Sequence, residues 1–191
     1  MNRGVAPQSI FEACFESSAE LMMRSPGILA LHATTFTNAV GYAFQRCRDD
    51  GTRRLLLLQN ASFLPLFRGA PVRGVAIDAL EPLPPRSTGP AAIEEIFADV
   101  SRERPVAARK VLGFLEGGGD VRPLADAIRR LIFLKGTDSH DYTYSSAVLD
   151  AAPALAASCR ARMLAAGAFY FKGSAAPDTM LAQRARSALA G

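Results

Sequence analysis

Cysteine, histidine and lysine are scarce in this chain of 191 residues, and long apolar runs are missing altogether. Cys14, Cys47 and Cys159 lie far apart, their number is odd, and no CxxC or zinc-ligand spacing joins them. A disulfide framework is therefore excluded as the organising feature, and free thiols in a reducing compartment are expected. With only 2 histidines, a His-rich zinc site is ruled out by count. Lys110, Lys135 and Lys172 are the only lysines, so the net charge of +4 is carried by arginines, many in pairs such as Arg53/Arg54 and Arg129/Arg130, with acids between them. There is no basic tail or long basic stripe, which disfavours a nucleic-acid surface and leaves solvated helix faces. No run approaches the roughly 20 apolar residues of a membrane-spanning helix. Met1 to Pro7 lacks the apolar core of a signal peptide, so a cytoplasmic location is expected. GxGxxG, GxxxxGK[ST] and GxSxG are all absent, which removes the commonest dinucleotide, phosphate-loop and hydrolase signatures.

What is present suits one folded domain. Hydrophobic residues make up 49% of the chain and charged residues 21%, enough for a sizeable core and against wholesale disorder. Alanine and leucine richness favours helix, and the expectation is an all-α, single-domain bundle or array of about eight or nine helices. Two halves, 9–68 and 90–190, are joined by a Pro/Gly-rich crossover over 69–89.

Ser9 with Glu12 reads as a capping box opening the first helix, and Ser25-Pro26 as the start of a second running to about Arg46. Thr52 is placed to cap a third, whose centre at Leu55–Leu58 is apolar nearly all round, as in a central, covered helix. Pro65 kinks or ends it. Pro90 and Pro105 start the fourth and fifth helices, and Gly117-Gly118-Gly119 stops the fifth. A sixth carries Leu124, Ile128 and Leu131 on one stripe. Thr137 or Asp138 caps a seventh through Leu149, an eighth spans Pro153 to about Phe171, and a short terminal helix ends near Leu189. Periodicity alone does not assign Gly74–Leu80, Leu131–Leu134 or Ala168–Phe171, which read as helix or short strand.

Polar residues concentrate around the two histidines. In the first segment, His32, Thr35 and Phe36 share one helical face, with Ala39 a turn further on; Thr34, Thr37 and Asn38 lie on the other side. Threonines and asparagine are poor helix formers, so they point to a polar pocket that their side chains satisfy. In the second, His140, Thr143 and Tyr144 share a face, and Asp141 and Ser145 the adjacent one. Imidazole, carboxyl and phenol together make a proton-handling set: Asp138 or Asp141 could fix the imidazole tautomer and Tyr144 could donate to a developing oxyanion. His32, His140, Asp141 and Tyr144 are thus the catalytic candidates, and Thr35, Phe36, Asn38 and Thr143 the substrate-binding ones. The structural alternative is equally concrete: hydrogen-bonded structural histidines, Asp138-Ser139 as a helix cap, and tyrosines that pack by their rings and reach a partner by their hydroxyls. A metal held by His32, His140 and a carboxylate is also chemically allowed. Glu12, Glu16 and Glu20 recur at i, i+4, but the ExxH pair of di-iron bundles is absent, so this stripe reads as a solvated face.

Leu31–Ala39 and His140–Tyr144 with Ala147 resemble later segments of questin oxidase-like proteins, a helical family that includes fungal polyketide-tailoring oxidases. With flanking helices the similarity covers about a third of the chain. It implies an NADPH-dependent oxygenation of a hydrophobic or aromatic small molecule, with His32 and His140 as pocket residues. This chain departs from the family in lacking its earlier histidine helices and a recognisable nicotinamide site. The alternative is a non-catalytic small-molecule-binding or partner subunit, in a homo- or hetero-oligomer.

Overall fold

Proline and glycine punctuate the chain, and helices fill the intervals. The computed structural model describes residues 4–68 and 74–190. Among these residues there are nine α-helices and no strand: α1 (Pro7–Arg24), α2 (Ile28–Arg46), α3 (Asp50–Phe63), α4 (Gly89–Val100), α5 (Arg104–Glu116), α6 (Val121–Lys135), α7 (Ser139–Ala151), α8 (Ala157–Gly167) and α9 (Met180–Ala190). Short 3-10 turns occupy Leu64–Phe67, Ile77–Ala79 and Ala152–Ala154. The all-α expectation holds. Pro7, Pro90 and Pro105 each sit in the first turn of a helix, where a missing N–H has no bond to lose.

The neighbours of each helix define two layers. One runs α3, α2, α7, α6; the other runs α1, α8, α5, α4. α1 lies on α2, α8 on α7 and α4 on α6. One apolar cluster joins Met22 of α1 and Leu31 of α2 to Ile96, Leu124, Ile128, Val148, Met163 and Leu164 from after the connection. Each is at most 2% exposed, and burial of such a side chain contributes about 1.5–3 kcal/mol. α5 and α8 present small residues to this core, Ala107 and Ala108 from one, Ala161, Ala165 and Ala166 from the other.

Gly117–Gly119 terminates α5 through a Schellman arrangement: the Gly119 N–H donates to the Phe114 carbonyl at 2.8 Å and the Gly118 N–H to the Leu115 carbonyl at 3.2 Å. Gly118 takes φ +86°, a conformation that favours glycine.

Part of the expected crossover, residues 69–73 with Gly69 and Pro71, lies outside the described residues. The remainder is anchored at several points. The Ile77 N–H donates to Glu20 at 3.0 Å. The Leu83 N–H donates to the Arg109 carbonyl at 2.9 Å, and a Cβ on Gly113 would collide with the Leu83 carbonyl. The Arg86 and Ser87 N–H groups donate to Glu95 at 3.0 and 3.1 Å. Gly74–Leu80 holds a single 3-10 turn and no extended strand.

Several sequence expectations need correction. α1 begins at Pro7 and not at Ser9, with no side-chain cap. Glu12 is drawn elsewhere, accepting from the Ala156 N–H at 2.8 Å and thereby capping α8 from another helix. Ser25-Pro26 forms a turn, and α2 starts after Gly27. Asp49, not Thr52, caps α3, accepting from the Thr52 N–H at 2.7 Å. α3 is not central: it sits at the edge of its layer with only Leu57 and Asn60 buried, while Leu55 and Leu58 are each 65% exposed. The expected helix from Pro153 to Phe171 begins only at Ala157, because Pro153 is held in a 3-10 turn, and it closes at Gly167. The glutamate stripe is not a solvated face either. Glu12 and Glu20 accept from backbone N–H groups elsewhere in the chain, and Glu16 pairs with Arg162 at 3.2 Å.

Candidate functional site

α2 and α7 are neighbours in one layer, and this brings the histidines together. The His32 and His140 rings meet edge to face, with centroids 5.8 Å apart and planes at 78°. His32 is exposed and His140 half-buried, so the pair opens to solvent and does not line the floor of a cavity. Asp138 caps α7, accepting from the His140 N–H at 2.8 Å and the Asp141 N–H at 3.2 Å. The same carboxylate stands 3.5 Å from His140 Nδ1.

The other catalytic candidates turn away from this pair. Asp141 is buried, pairs with Lys172 at 2.7 Å and accepts from the Thr137 N–H at 2.9 Å and the Thr137 hydroxyl at 3.2 Å. Burial would raise its carboxyl, but these partners outweigh burial and hold it below its ordinary value. Its work is to bind the start of α7 to the segment after α8. Tyr144 is 1% exposed, with its ring 5.0 Å from Tyr170 and 6.0 Å from Phe171. Burial first, and then Tyr170, push its phenol upward, which suits a core tyrosine and opposes ready proton release.

Most of the hydroxyls around the histidines serve their own helices, and Thr37 serves a neighbouring one. The Thr35 hydroxyl donates to the His32 carbonyl at 3.3 Å, and the Thr143 hydroxyl donates to the Ser139 carbonyl at 2.8 Å. Thr34 donates to the Ala30 carbonyl, and Thr37 donates to Asn60 Oδ1 at 3.2 Å. Back-bonding of Thr34, Thr35 and Thr143 and the tie from Thr37 to α3 account for these threonines inside helices. Phe36 packs on Phe63, with ring centroids 4.7 Å apart.

Asn38 leads to a different place. It lines a cavity of about 460 Å³ where α1, α2, the end of α7 and the Ala152–Ala154 turn converge. Phe11, Phe15 and Phe44 form buried apolar walls, and Tyr42 stands exposed at the side. Gln8, Asn38, Gln45 and Asp150 add amides and one carboxylate. Arg46 stacks over Tyr42 at 4.5 Å and Arg53 over Phe44 at 4.2 Å. An apolar, aromatic lining with a few polar groups and a volume of this order is the usual form of a small-molecule site. Sequence reasoning missed it. Phe11 and Phe15 fall on the apolar stripe of α1 as core residues do, and only the packing of α1 against α2 and the end of α7 leaves a space beside them. A second cavity, of about 480 Å³, lies between Pro84–Pro90 and the Gly117–Gly119 turn, and its walls are chiefly proline and glycine with Phe114.

Among the described residues no group of three or more His, Cys, Asp and Glu is placed to hold a metal ion, and no helix is long and apolar enough to cross a membrane. Cys14 and Cys159 are buried and unpaired, and burial pushes the Cys159 thiol up to about 12, so it is a core group and not a nucleophile. Fold and site together define an all-α domain with an aromatic cavity and a separate surface histidine pair. No family model, curated protein or solved structure matches the chain.

Proposed function

We propose that this chain is a non-catalytic binding module for a small, largely apolar aromatic molecule, held in the cavity between α1, α2 and the Ala152–Ala154 turn. One observation carries this reading: three buried phenylalanines and a tyrosine surround a space of about 460 Å³ that also receives Asn38, Gln45 and Asp150. Aromatic walls supply contact area and prefer flat partners, and the amides and carboxylate fix orientation through hydrogen bonds. A ligand with an N–H or amine donor is favoured, because Asp150 brings an acceptor to the rim.

Gly41 provides the test. It lines the cavity, and a Cβ there would meet Phe11 at 3.7 Å, an ordinary contact. Gly41→Leu should fill the space while improving helix propensity by up to about 1 kcal/mol. The chain has no tryptophan, so the fluorescence of N-phenyl-1-naphthylamine can be followed directly. Saturable binding by the native chain, weakened at least about tenfold by Gly41→Leu and unchanged by His140→Ala, is the expected result. Equal binding by the native chain and Gly41→Leu would refute the assignment.

A second reading, an oxidoreductase acting on a hydrophobic or aromatic molecule at His32 and His140, is favoured by the contact of the two imidazoles. The NADPH that the questin oxidase-like resemblance implies finds no matching cradle among the described residues. The N–H groups of Gly118 and Gly119, in the glycine run, are already spent on α5 carbonyls. This reading predicts NADPH consumption dependent on an aromatic substrate and lost in His32→Ala; consumption that is absent or survives the substitution would reject it.

A further inference from the structure

We propose that the outer face of α3, with the 3-10 turn that follows it, is a dimerisation surface that pairs antiparallel with the same face of a second copy of this chain. The inference is independent of the aromatic cavity, whose lining includes no residue of α3.

α3 stands at the edge of its layer, and its outward side is apolar. Leu55 and Leu58 are each 65% exposed, and Leu66, in the turn that continues the helix, is 73% exposed. Gly51 and Ser62 are exposed as well. From Gly51 through Leu55 and Leu58 to Ser62 the spacing alternates four, three and four residues, the repeat that keeps one seam of a helix facing a partner helix. A single exposed leucine needs no explanation, whereas a continuous apolar stripe marks an interaction surface. Ser62 does not oppose burial there, because its hydroxyl already donates to the Gln59 carbonyl at 3.0 Å.

The order of residues along the stripe selects its own copy as partner. In a twofold dimer, residue i meets j and j meets i. Antiparallel pairing with Leu55 opposite Ser62 sets Gly51 opposite Leu66 and Asp49 opposite Arg68 in the same register. Leu55 and Leu66 then each face a small residue, the large-against-small fit that lets side chains interdigitate. Leu58 falls beside the twofold axis, next to the Leu58 of the second copy. The ends are complementary in charge: Asp49 precedes the helix, Arg68 follows the turn, and both are exposed. A parallel pair would instead oppose Asp49 to Asp49 and Arg68 to Arg68. At 1.5 Å per residue the stripe is about 22 Å long. One helix face of that length is smaller than the about 800 Å² per partner of a stable interface, so the dimer is a weak one, with a Kd of about 10–100 µM.

Sedimentation equilibrium of the intact chain, from about 1 to about 500 µM, tests this. The average mass should rise from one chain toward two. Leu58→Arg, at an exposed position, should keep native circular dichroism and weaken association at least about tenfold. Arg68→Glu, which creates two like-charge pairs in the dimer, should weaken it at least about threefold. Register is read by crosslinking in a Cys47→Ser background, in which Cys14 and Cys159 are buried. Chains carrying Leu55→Cys and chains carrying Ser62→Cys, mixed in equal amounts and oxidised with diamide, should crosslink chiefly to each other, because only that pairing brings the Cα atoms within the about 4.4–6.8 Å of a disulfide. Four results would overturn the proposal: a monomer at the highest concentration, Leu58→Arg or Arg68→Glu associating as tightly as the native chain, crosslinks formed chiefly between identical variants, or a monomer that binds phosphatidylglycerol vesicles through Leu58, which would make the face a lipid-binding one.

Discussion

Replacing Lys110 by methionine isolates a mostly buried contact of one ammonium with two carboxylates. Lys110 of α5 is 8% exposed and its ammonium donates to both Glu95 and Asp99 of α4. Burial works against the charged ammonium, yet the two carboxylates outweigh it and raise its pKa. The bond to Lys110, helped by the Arg86 and Ser87 N–H groups, lowers Glu95 to about 2 despite its desolvation. Lys110→Met keeps most of the aliphatic stem but leaves two carboxylates facing each other. Removing one partner of a fully buried pair costs about 3–5 kcal/mol. Here the acid side chains are still 17% and 19% exposed and Glu95 keeps its backbone donors, so about 2–3 kcal/mol is expected. The assay is urea unfolding followed by far-UV circular dichroism at pH 7 and at pH 3. Glu95 is depressed in the fold, so its contribution is complete above the ordinary carboxylate range and is lost as pH falls from about 4.5 toward about 2. In the variant Glu95 loses the ammonium that holds it down, so it protonates more readily and the repulsion fades. The difference between native chain and variant should therefore shrink by at least about half at pH 3. A deficit below about 1 kcal/mol at pH 7, or one that does not change with acid, would refute this account.

Two further substitutions test packing. Gly113→Ala pushes a methyl group into the Leu83 carbonyl and Pro84 nitrogen; backbone cannot yield as a side-chain tip can, so a loss of about 1–3 kcal/mol is expected in the same unfolding assay, and neutrality or gain would contradict the close approach. Asn60 is fully buried with its Nδ2 unpartnered and its Oδ1 accepting from Thr37. Removing both polar partners, Thr37→Val with Asn60→Leu, should cost less than Thr37→Val alone plus Asn60→Leu alone, by about 0.5–2 kcal/mol in a double-mutant cycle; strict additivity would refute the coupling.

The parts of the fold legible in the sequence are those set by local chemistry. Pro90 and Pro105 start helices, Gly117–Gly119 stops one, and Asp138 caps α7, because each acts within a few residues along the chain. What was hidden depends on which helix lies against which. Leu55 and Leu58 have the composition of a central helix, but α3 packs only against α2, α1 and the turn that follows it, at the edge of its layer, and leaves them exposed. Glu12 has capping-box spacing with Ser9, yet its carboxylate is claimed by the N-terminus of α8, far along the chain. His32 and His140 stood out because they are the only two histidines, and α2–α7 packing brings them together. The same local pattern could not separate Asp141 and Tyr144, which turn inward, from residues that face solvent.

The aromatic cavity draws its walls from both sides of the proline-rich connection. Phe11, Phe15, Asn38 and Phe44 come from α1 and α2, while Asp150, Ala151 and Leu155 come from the end of α7 and the turn that follows. Unfolding either part removes the site, so a ligand bound there stabilises both parts together. Its effect should be global: at a ligand concentration a hundred times its Kd, about 2.7 kcal/mol is added to the unfolding free energy.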